Sequence, residues 1–267
     1  MRWAAMVAAA LLSIAGVAHA AAAGTDAGAV LAPVRQRIET ADYRATGQLV
    51  KVDAGGKRTA YALSIKARFF SGALHTLLEI DPPSGTAAKM GQDGRVRILL
   101  ELRPNGEASI RVVHPHETAA TALPVEKWGD GLFGGGFSYE DFLEPQYYWH
   151  GQAIGKGAKF GARDCDVLKS TPGAGDHSHY ADVETWLDHS IGFPVYAEKT
   201  EKDGAVKQVT YLGLRQTSGV WSASQVEVKT RGKAGSTLLI VKRGSAKANL
   251  SAKEFSPEQI GHFEDRP

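Results

Sequence analysis

The feature that most constrains the fold is an alternation of apolar and polar residues, with a period of two, that dominates the chain after residue 40. The clearest example is residues 95–103, where one face of an extended strand is apolar and the other is mostly charged. The apolar residues of this strand are Val96, Ile98, Leu100 and Leu102. A helix would group apolar residues with a period of 3.6, so this part of the chain is predicted to be β-structure.

Similar runs follow one another along the chain, separated by turn signals. Residues 95–103 and 108–114 flank Asn105-Gly106, a dipeptide that tolerates the positive φ values of tight hairpin turns. Two further alternating sets are Leu63, Ile65 and Phe69, and Ile110 and Val112, all expected to point inward. In another run the alternating residues are Val206, Gln208, Thr210, Leu212 and Leu214. Other strand-like segments are 43–53, 73–81, 147–156, 163–170, 180–188, 194–201, 220–230 and 236–243.

These runs predict about eleven strands joined mostly by short turns. Because helical crossovers are missing between them, the pattern favours an antiparallel meander over a parallel sheet. The chain has 30 glycines and 11 prolines, more than a helical bundle tolerates. Since so many twisted strands do not stay flat, we expect a mainly β (α+β) fold whose strongly curved antiparallel sheet closes wholly or partly into a barrel.

One helix is predicted in front of the strands, over residues 26–39. Its apolar residues recur at helical spacing, with Thr25 or Asp26 available to cap the N-terminus. Pro33 argues against a regular helix, because proline within a helix removes a hydrogen bond. The apolar residues of this helix are Val30, Leu31, Val34 and Ile38.

A second interruption of the strand pattern lies at residues 128–146. Gly134 to Gly136 break the alternation, and Ser138 is placed to cap a short helix that Pro145 ends. A short helix that leaves the sheet in the middle of the chain is well placed to cover the open side of a curled sheet. The glycine run lacks a following Lys-Ser/Thr, so it is interpreted as a hinge and not as a phosphate-binding loop.

The first twenty residues predict export. A basic start at Arg2 precedes an apolar run, and Ala18-His19-Ala20 has the small-x-small pattern of a signal peptidase site. We therefore expect residues 1–20 to be a cleavable signal peptide and residues 21–267 to be one domain. The net charge of +2 gives no general attraction to nucleic acid. The single cysteine, Cys165, excludes an intramolecular disulfide and is expected to be a buried structural thiol.

Several short motifs follow one another between residues 136 and 260. They are Gly136-Phe137-Ser138-Tyr139-Glu140-Asp141-Phe142, Arg163-x-Cys165-x-x-Leu168, Thr171-Pro172, Trp186-Leu187-Asp188, Phe193-Pro194, Asp203-Gly204 with Lys207, Gly219-Val220-Trp221 and Phe255-Ser256-Pro257. In order and spacing this set resembles the outer-membrane lipoprotein-sorting proteins, the LolA-like family of Gram-negative bacteria. The N-terminal half agrees in strand pattern alone. Gly136 stands where that family often has Asp, and the loop 172–179 is unusually rich in Gly and His.

The resemblance implies a half-open barrel, LolA/LolB-like, with a few helices across its mouth and an apolar cavity between. Such proteins carry acyl chains of lipoproteins or lipids across the periplasm, so the partners expected here are a lipidated protein or lipid, an inner-membrane transporter and an outer-membrane acceptor. The implied cavity lining is Leu63, Ile65, Phe69, Val96, Ile98, Leu100, Ile110 and Val112. From the sequence alone, the same residues could instead form an ordinary filled core under the N-terminal helix. The implied lid residues are Phe137, Tyr139, Phe142 and Leu143, with Arg44 or Arg97 as a candidate charged latch. Alternatively, these lid residues plug the end of the barrel without moving.

Two alternatives remain open from the sequence. The pairs His114-x-His116 and His177-x-His179 could chelate a metal in an exported hydrolase, with Asp176, Asp182, His150 or His189 completing the site. A β-barrel adaptor that binds an envelope protein without carrying lipid would have the same pattern. No Gly-x-Ser-x-Gly elbow, Walker motif or dinucleotide fingerprint occurs, so we predict no enzyme and no cofactor. The carboxylates Glu140 and Asp141 are interpreted as charges at a helix N-terminus.

Overall fold

The computed structural model describes residues 26–83 and 94–261, and in them fourteen strands form one antiparallel sheet. The strands are β1 (Asp42–Val52), β2 (Arg58–Phe70), β3 (Ala73–Asp81), β4 (Val96–Leu102), β5 (Ala108–Val113), β6 (Thr121–Ala122), β7 (Gly151–Ile154), β8 (Ala158–Phe160), β9 (Arg163–Thr171), β10 (Tyr180–Asp188), β11 (Pro194–Glu201), β12 (Val206–Thr217), β13 (Val220–Thr230) and β14 (Ser236–Ala246). Their order across the sheet is β6-β5-β4-β3-β2-β1-β14-β13-β12-β11-β10-β9-β7, and β8 pairs with β9. The sheet therefore consists of two meanders, which we call limbs, joined where β1 pairs with β14.

A single helix of thirteen residues, α1 (Ala27–Glu39), lies against both limbs of the sheet. It packs on β3 in one limb and on β7 and β9 in the other. In a flat sheet β3 and β9 would be roughly 38 Å apart, at about 4.8 Å per strand, whereas a helix of this length spans only about 20 Å. The sheet must therefore curve around α1, and the predicted open, strongly curved antiparallel fold is confirmed.

The helix runs through Pro33 without a break, so the objection raised by this proline does not hold. Asp26 occupies the N-cap position as predicted, although its side chain makes no capping hydrogen bond. All four predicted apolar residues of α1 are buried. Pro33 packs close to Gly192, where a β-carbon would come within 3.0 Å of the proline ring. The helix is thus held mainly by its apolar face.

Residues 125–148, which we call the cover segment, form 3₁₀ turns and no strand of the sheet. These turns are Val125–Lys127, Leu132–Gly134, Glu140–Phe142 and Pro145–Tyr147. The short helix was predicted at the right place, but Ser138 as its cap is wrong. Tyr139 is the N-cap, and Asp141 instead accepts hydrogen bonds from the Ser138 amide and hydroxyl.

Apolar residues pack on both faces of the sheet. The large core lies on the concave face, beneath α1 and the cover segment. A smaller core lies on the opposite face, where Leu77, Leu99 and Val113 meet Phe255 and Leu250 of the C-terminal segment. That segment contains the 3₁₀ turn Ala252–Phe255 and the short helix Pro257–Gly261.

Most strand and turn predictions are confirmed, and the differences are local. The hairpin between β4 and β5 turns at Gly106, whose φ is +86°. The strand predicted over 147–156 begins too early, because a 3₁₀ turn precedes β7, which starts at Gly151. In β12 the inward positions are Lys207 and Val209, while Leu212 is exposed, so the alternating set chosen from the sequence lies on the outer face.

No helix in residues 26–83 and 94–261 is long and apolar enough to cross a membrane. The predicted signal peptide, residues 1–20, lies outside the described residues.

Candidate functional site

The eight predicted lining residues lie together on the concave face, in β2, β4 and β5. Seven have exposed fractions between 0% and 8%, and Phe69 is half-buried against the same core. Pairing of β4 with β5 places Ile98 opposite Val112 and Leu100 opposite Ile110. Their burial agrees with the predicted inward orientation, and their role in ligand binding remains a prediction. The seven are Leu63, Ile65, Val96, Ile98, Leu100, Ile110 and Val112.

The concave face is covered by side chains of the protein itself. Residues of α1 belong to the same core as the predicted lining. An open groove of about 560 Å³ runs along the exposed side of α1, where Ala32, Arg35 and Glu39 line it, and Phe69 of β2 also contributes to it. A ligand that reached the lining would therefore have to replace the apolar face of α1.

The predicted lid residues also belong to this core. Phe137 and Leu143 are buried, while Tyr139 and Phe142 are half-buried against it. The rings of Phe137 and Phe142 lie 5.5 Å apart. Earlier in the cover segment, Phe133 stacks on Tyr61 of β2 with 4.4 Å between ring centroids. These residues thus form an apolar underside facing the sheet, and whether it moves remains a prediction.

A buried ion cluster joins the cover segment to the limb formed by β9–β14. One oxygen of Asp141, Oδ1, accepts hydrogen bonds from the hydroxyl of Tyr180 in β10 at 2.6 Å and from Nζ of Lys199 in β11 at 2.8 Å. Nζ of Lys207 in β12 lies 3.7 Å from Oδ2. The side chains of Asp141 and Lys199 are each only 3% exposed. Three strands therefore contribute polar groups to one carboxylate.

The charges of this cluster determine which groups carry protons. Burial alone would raise the pKa of the Asp141 carboxyl, but Lys199, Lys207 and the Tyr180 hydrogen bond hold that pKa well below its usual range. Burial and the neighbouring Asp141 charge raise the pKa of the Tyr180 hydroxyl well above its usual value. Asp141 is therefore an anion at neutral pH and Tyr180 a hydrogen-bond donor.

The neighbouring carboxylate, Glu140, anchors the cover segment at a second point. It is fully buried and accepts hydrogen bonds from the Ser178 hydroxyl and from the backbone amide of His179. Nδ1 of His179 lies 2.6 Å from Glu140 Oε2. Both carboxylates do lie in the first turn of the short helix, as predicted. Their side chains serve a further purpose, because they reach across to the β10 region and fix this helix in place.

At the rim, α1 and the cover segment are fastened to one another by polar contacts. Arg37 pairs with Glu144 at 3.1 Å, and the Arg35 side chain donates a hydrogen bond to the carbonyl of Tyr147 at 2.8 Å. The hydroxyl of Tyr148 donates a hydrogen bond to Glu39. We call these three contacts the rim latch.

The two arginines proposed from the sequence as a latch have other partners. Arg44 pairs with Glu254 in the C-terminal segment at 3.4 Å, and Arg97 pairs with Glu79 of β3 at 3.4 Å. Neither of these ion pairs involves α1 or the cover segment. The contacts expected of a latch are made instead by Arg37 and Arg35. Both lie on α1 at the helical positions next to its apolar face.

The histidines of the two His-x-His pairs are dispersed. His114 and His116 are exposed after β5, whereas His179 is half-buried against Glu140 and His177 is exposed. The other candidate ligands pair elsewhere, since His150 contacts Asp176 and His189 contacts Asp166. Within residues 26–83 and 94–261 there is no cluster of three or more His, Cys, Asp or Glu side chains that could hold a metal ion. The described part of the chain therefore offers no ligand set for the hydrolase alternative.

Solved structures of low sequence identity share this fold. A domain assigned as an outer membrane lipoprotein-sorting protein, from Vibrio parahaemolyticus, superimposes with a TM-score of 0.76 at 19% identity, covering 89% of this chain and 100% of that one. A DUF1329 family protein from Desulfovibrio piger gives 0.72 at 16% identity, covering 84% and 94%. A LolA superfamily protein from Nitrosomonas europaea gives 0.60 at 14% identity, covering 86% and 97%. The LolA-like fold predicted from the motifs is thereby confirmed.

Sequence comparison adds one family. No curated protein matches the chain. A family model described as "-like: Uncharacterized protein" matches residues 119–262, which is more than half of the chain and includes the cover segment, the ion cluster and β7–β14. The chain therefore belongs to the family that this model describes, and its fold is that of the LolA-like outer membrane lipoprotein-sorting proteins.

Proposed function

We propose that this protein is a periplasmic carrier that holds the acyl chains of a lipoprotein or lipid on its concave face. The observation that carries the proposal is the construction of that face. An apolar sheet surface is covered by α1 and the cover segment, which add no strand to the sheet and are fastened to one another by the rim latch. Such a cover can be replaced by a ligand without breaking the pairing of the sheet.

The energies of the two occupants are comparable. Each methylene removed from water contributes about 0.8 kcal/mol, so a palmitoyl-length chain gains on the order of 10 kcal/mol from burial. The four buried apolar residues of α1 contribute about 1.5–3 kcal/mol each by the same measure. Exchange of the α1 side chains for one acyl chain is therefore close to balanced, as a carrier that must also release its ligand requires.

The groove beside α1 gives the proposed ligand a place to enter. Its lining includes Phe69, which belongs to the predicted cavity, and Arg35, which belongs to the rim latch. Movement of α1 away from β3 would extend this groove onto the concave face. The residues expected to contact the acyl chain are then Leu63, Ile65, Val96, Ile98, Leu100, Ile110 and Val112, together with the underside of the cover segment.

The transfer itself needs a donor and an acceptor. We infer an inner-membrane transporter as the donor and an outer-membrane acceptor, with residues 1–20 directing export and residues 21–267 acting as one carrier domain. Holding and releasing an acyl chain requires no bond to be made or broken, so the proposal assigns the protein no catalytic step and no cofactor.

The test is whether the native protein carries lipid. The chain, exported in a Gram-negative host and purified from the periplasm, should release acyl chains on extraction, as measured by mass spectrometry, and should take up a fluorescent fatty acid. Arg37→Gln removes one rim-latch contact and should accelerate uptake several-fold. Arg44→Gln is the matched control, because it removes an arginine–glutamate pair that lies away from α1.

Two results would count against the carrier. Absence of extracted lipid together with no fatty-acid uptake would overturn it and would favour the adaptor alternative, which predicts the same fold without a ligand. Equal uptake rates in the two arginine variants and the unaltered protein would refute the role of the rim latch.

A further inference from the structure

The far half of the β12–β13 hairpin extends beyond the strands that flank it. β12 pairs with β11 over residues 206–210, and β13 pairs with β14 over residues 225–228. Past these points, in the part of the chain that the structure describes, β12 and β13 pair only with one another, up to the turn at Ser218-Gly219. We call residues 211–224 the ribbon. At about 3.3 Å per residue it projects roughly 20 Å from the sheet.

The ribbon presents apolar side chains to solvent. Leu212 and Val220 are 39% and 40% exposed, and they are two of the three most exposed large apolar residues in the described part of the chain. Leu214 and Trp221 are half-buried, and the register places both on the same face of the ribbon as Leu212. Val220 is opposite Thr217 and lies on the other face. A surface of this kind is unfavourable in water unless it has an apolar partner.

Exposed cationic side chains lie in the ribbon and in the neighbouring strand β14. Arg215 is exposed within the ribbon, and β14 continues past its last pairing with β13 into the exposed residues Lys242 and Arg243. Among the described residues no carboxylate forms an ion pair with any of the three. Exposed aliphatic residues, a tryptophan and basic residues together are the features of a protein surface that lies in the interface of an anionic membrane.

We propose that the ribbon docks this protein onto the surface of a membrane that contains anionic phospholipid, with Leu212, Leu214 and Trp221 entering the headgroup region and Lys242 and Arg243 contacting lipid phosphates. The proposal rests on the carrier function and deepens it, because it names the surface through which the carrier meets a membrane. An acidic peptide added to the free strand edges would pair with backbone groups and leave the apolar face with Leu212 exposed. Lipid is therefore the occupant that accounts for both the apolar face and the neighbouring cations.

The position of the ribbon connects docking with the cover. At its base, Tyr211 packs edge-on against Phe193 with 6.0 Å between ring centroids. The guanidinium of Arg37 lies 5.3 Å from the centre of the same Phe193 ring, and Arg37 pairs with Glu144 in the rim latch. Docking through the ribbon would therefore bring the latch, and the end of α1 that it fastens, close to the membrane.

The experiment measures co-sedimentation of the full chain with vesicles of phosphatidylcholine alone and with added phosphatidylglycerol. Binding is expected only to the anionic vesicles and should weaken as salt is raised. The charge variant Lys242→Gln/Arg243→Gln should lower the partition coefficient about five-fold for each charge removed, and Leu212→Ser/Leu214→Ser should lower it at least as much. Lys156→Gln is the matched control, because this exposed lysine lies in the β7–β8 loop, away from the ribbon.

A second measurement locates the contact. Brominated phospholipid in the vesicles should quench part of the tryptophan fluorescence, and Trp221→Phe should abolish that quenching while sedimentation persists. The ribbon variants should take up a fluorescent fatty acid as the unaltered protein does, so failure of docking and failure of the carrier function are distinguishable. Equal vesicle binding by all variants, no binding to anionic vesicles, or capture of an acidic peptide without vesicle binding would overturn the proposal.

Discussion

Replacing Asp141 by asparagine tests the inference that a buried ion cluster fixes the cover segment to the sheet. The variant keeps the shape of the side chain but removes the negative charge next to Lys199 and Lys207, which are almost fully buried. Removing one partner of a buried ion pair destabilises a protein by about 3–5 kcal/mol, because the remaining charge is left uncompensated. We expect a value near the lower end, since Lys207 keeps its pair with Glu201 at 3.1 Å.

The assay is urea unfolding of the unaltered protein and the variant, followed by circular dichroism, with a thermal melt beside it. For a chain of this length a loss of about 3 kcal/mol corresponds to a fall in Tm of roughly 6–12 °C. Asp164→Asn is the matched control. It also removes an aspartate from a lysine pair, with Lys159 at 3.1 Å, but both side chains are more than 70% exposed. The control should lose less than about 1 kcal/mol.

The charge interpretation also fixes the pH dependence. Because the pKa of Asp141 is held below its usual range in the folded protein, its charge stabilises the fold above the unfolded pKa of about 3.9. That contribution is lost as the pH falls below this value. The difference in unfolding free energy between the protein and Asp141→Asn should therefore shrink below about pH 4. A difference under 1 kcal/mol at pH 7, or one that stays constant into acid, would refute the reasoning.

Three further predictions use other contacts. Arg37→Gln should lower the unfolding free energy measured in urea by about 1 kcal/mol, because the ion pair that is lost is partly exposed; unchanged stability would contradict the latch. Gly47→Ala should destabilise the protein by about 1–3 kcal/mol, because a β-carbon at this position would lie 1.9 Å from the carbonyl oxygen of Ile240. At Gly55 a β-carbon has room, so Gly55→Ala should change the stability by less than about 0.5 kcal/mol. Cys165 is buried and burial raises its thiol pKa, so Ellman's reagent should react slowly with the folded protein and rapidly in urea; rapid reaction without urea would contradict this.

Local pattern was enough to predict most of the fold. The alternation in β4 and β5 and the Asn105-Gly106 turn specify a hairpin without any tertiary information. The helix α1 was also predictable, because its apolar spacing outweighs the effect of Pro33. The strands β6 and β8 were missed, since segments of two and three residues are too short to display a period. Which residues meet across the sheet depends on curvature, and curvature is set by contacts distant in sequence.

The ion cluster was missed for a specific reason. Lys199 lies on the inward face of β11 with Val195 and Ala197. Lys207 lies on the inward face of β12 with Val209. A lysine at an inward position is a signal that a buried carboxylate must exist elsewhere, because an unpaired buried charge is prohibitively unfavourable. The alternation chosen for β12 selected the opposite face, which concealed this signal.

For the proposed carrier function, polar contacts at the rim suit a cover that must open better than additional apolar area would. Additional apolar contacts between α1 and the sheet would stabilise the closed state in proportion to area and would raise the energy that any ligand must match. The ion pair of Arg37 and Glu144 lies at the rim, where both side chains are about one-quarter exposed and water can replace each partner when the contact opens. Asp141, by contrast, is buried and strongly paired, so its part of the cover segment should stay attached. The distribution of charge therefore predicts a division of roles, in which α1 is the element that moves and the Asp141 turn is the point about which the cover is held.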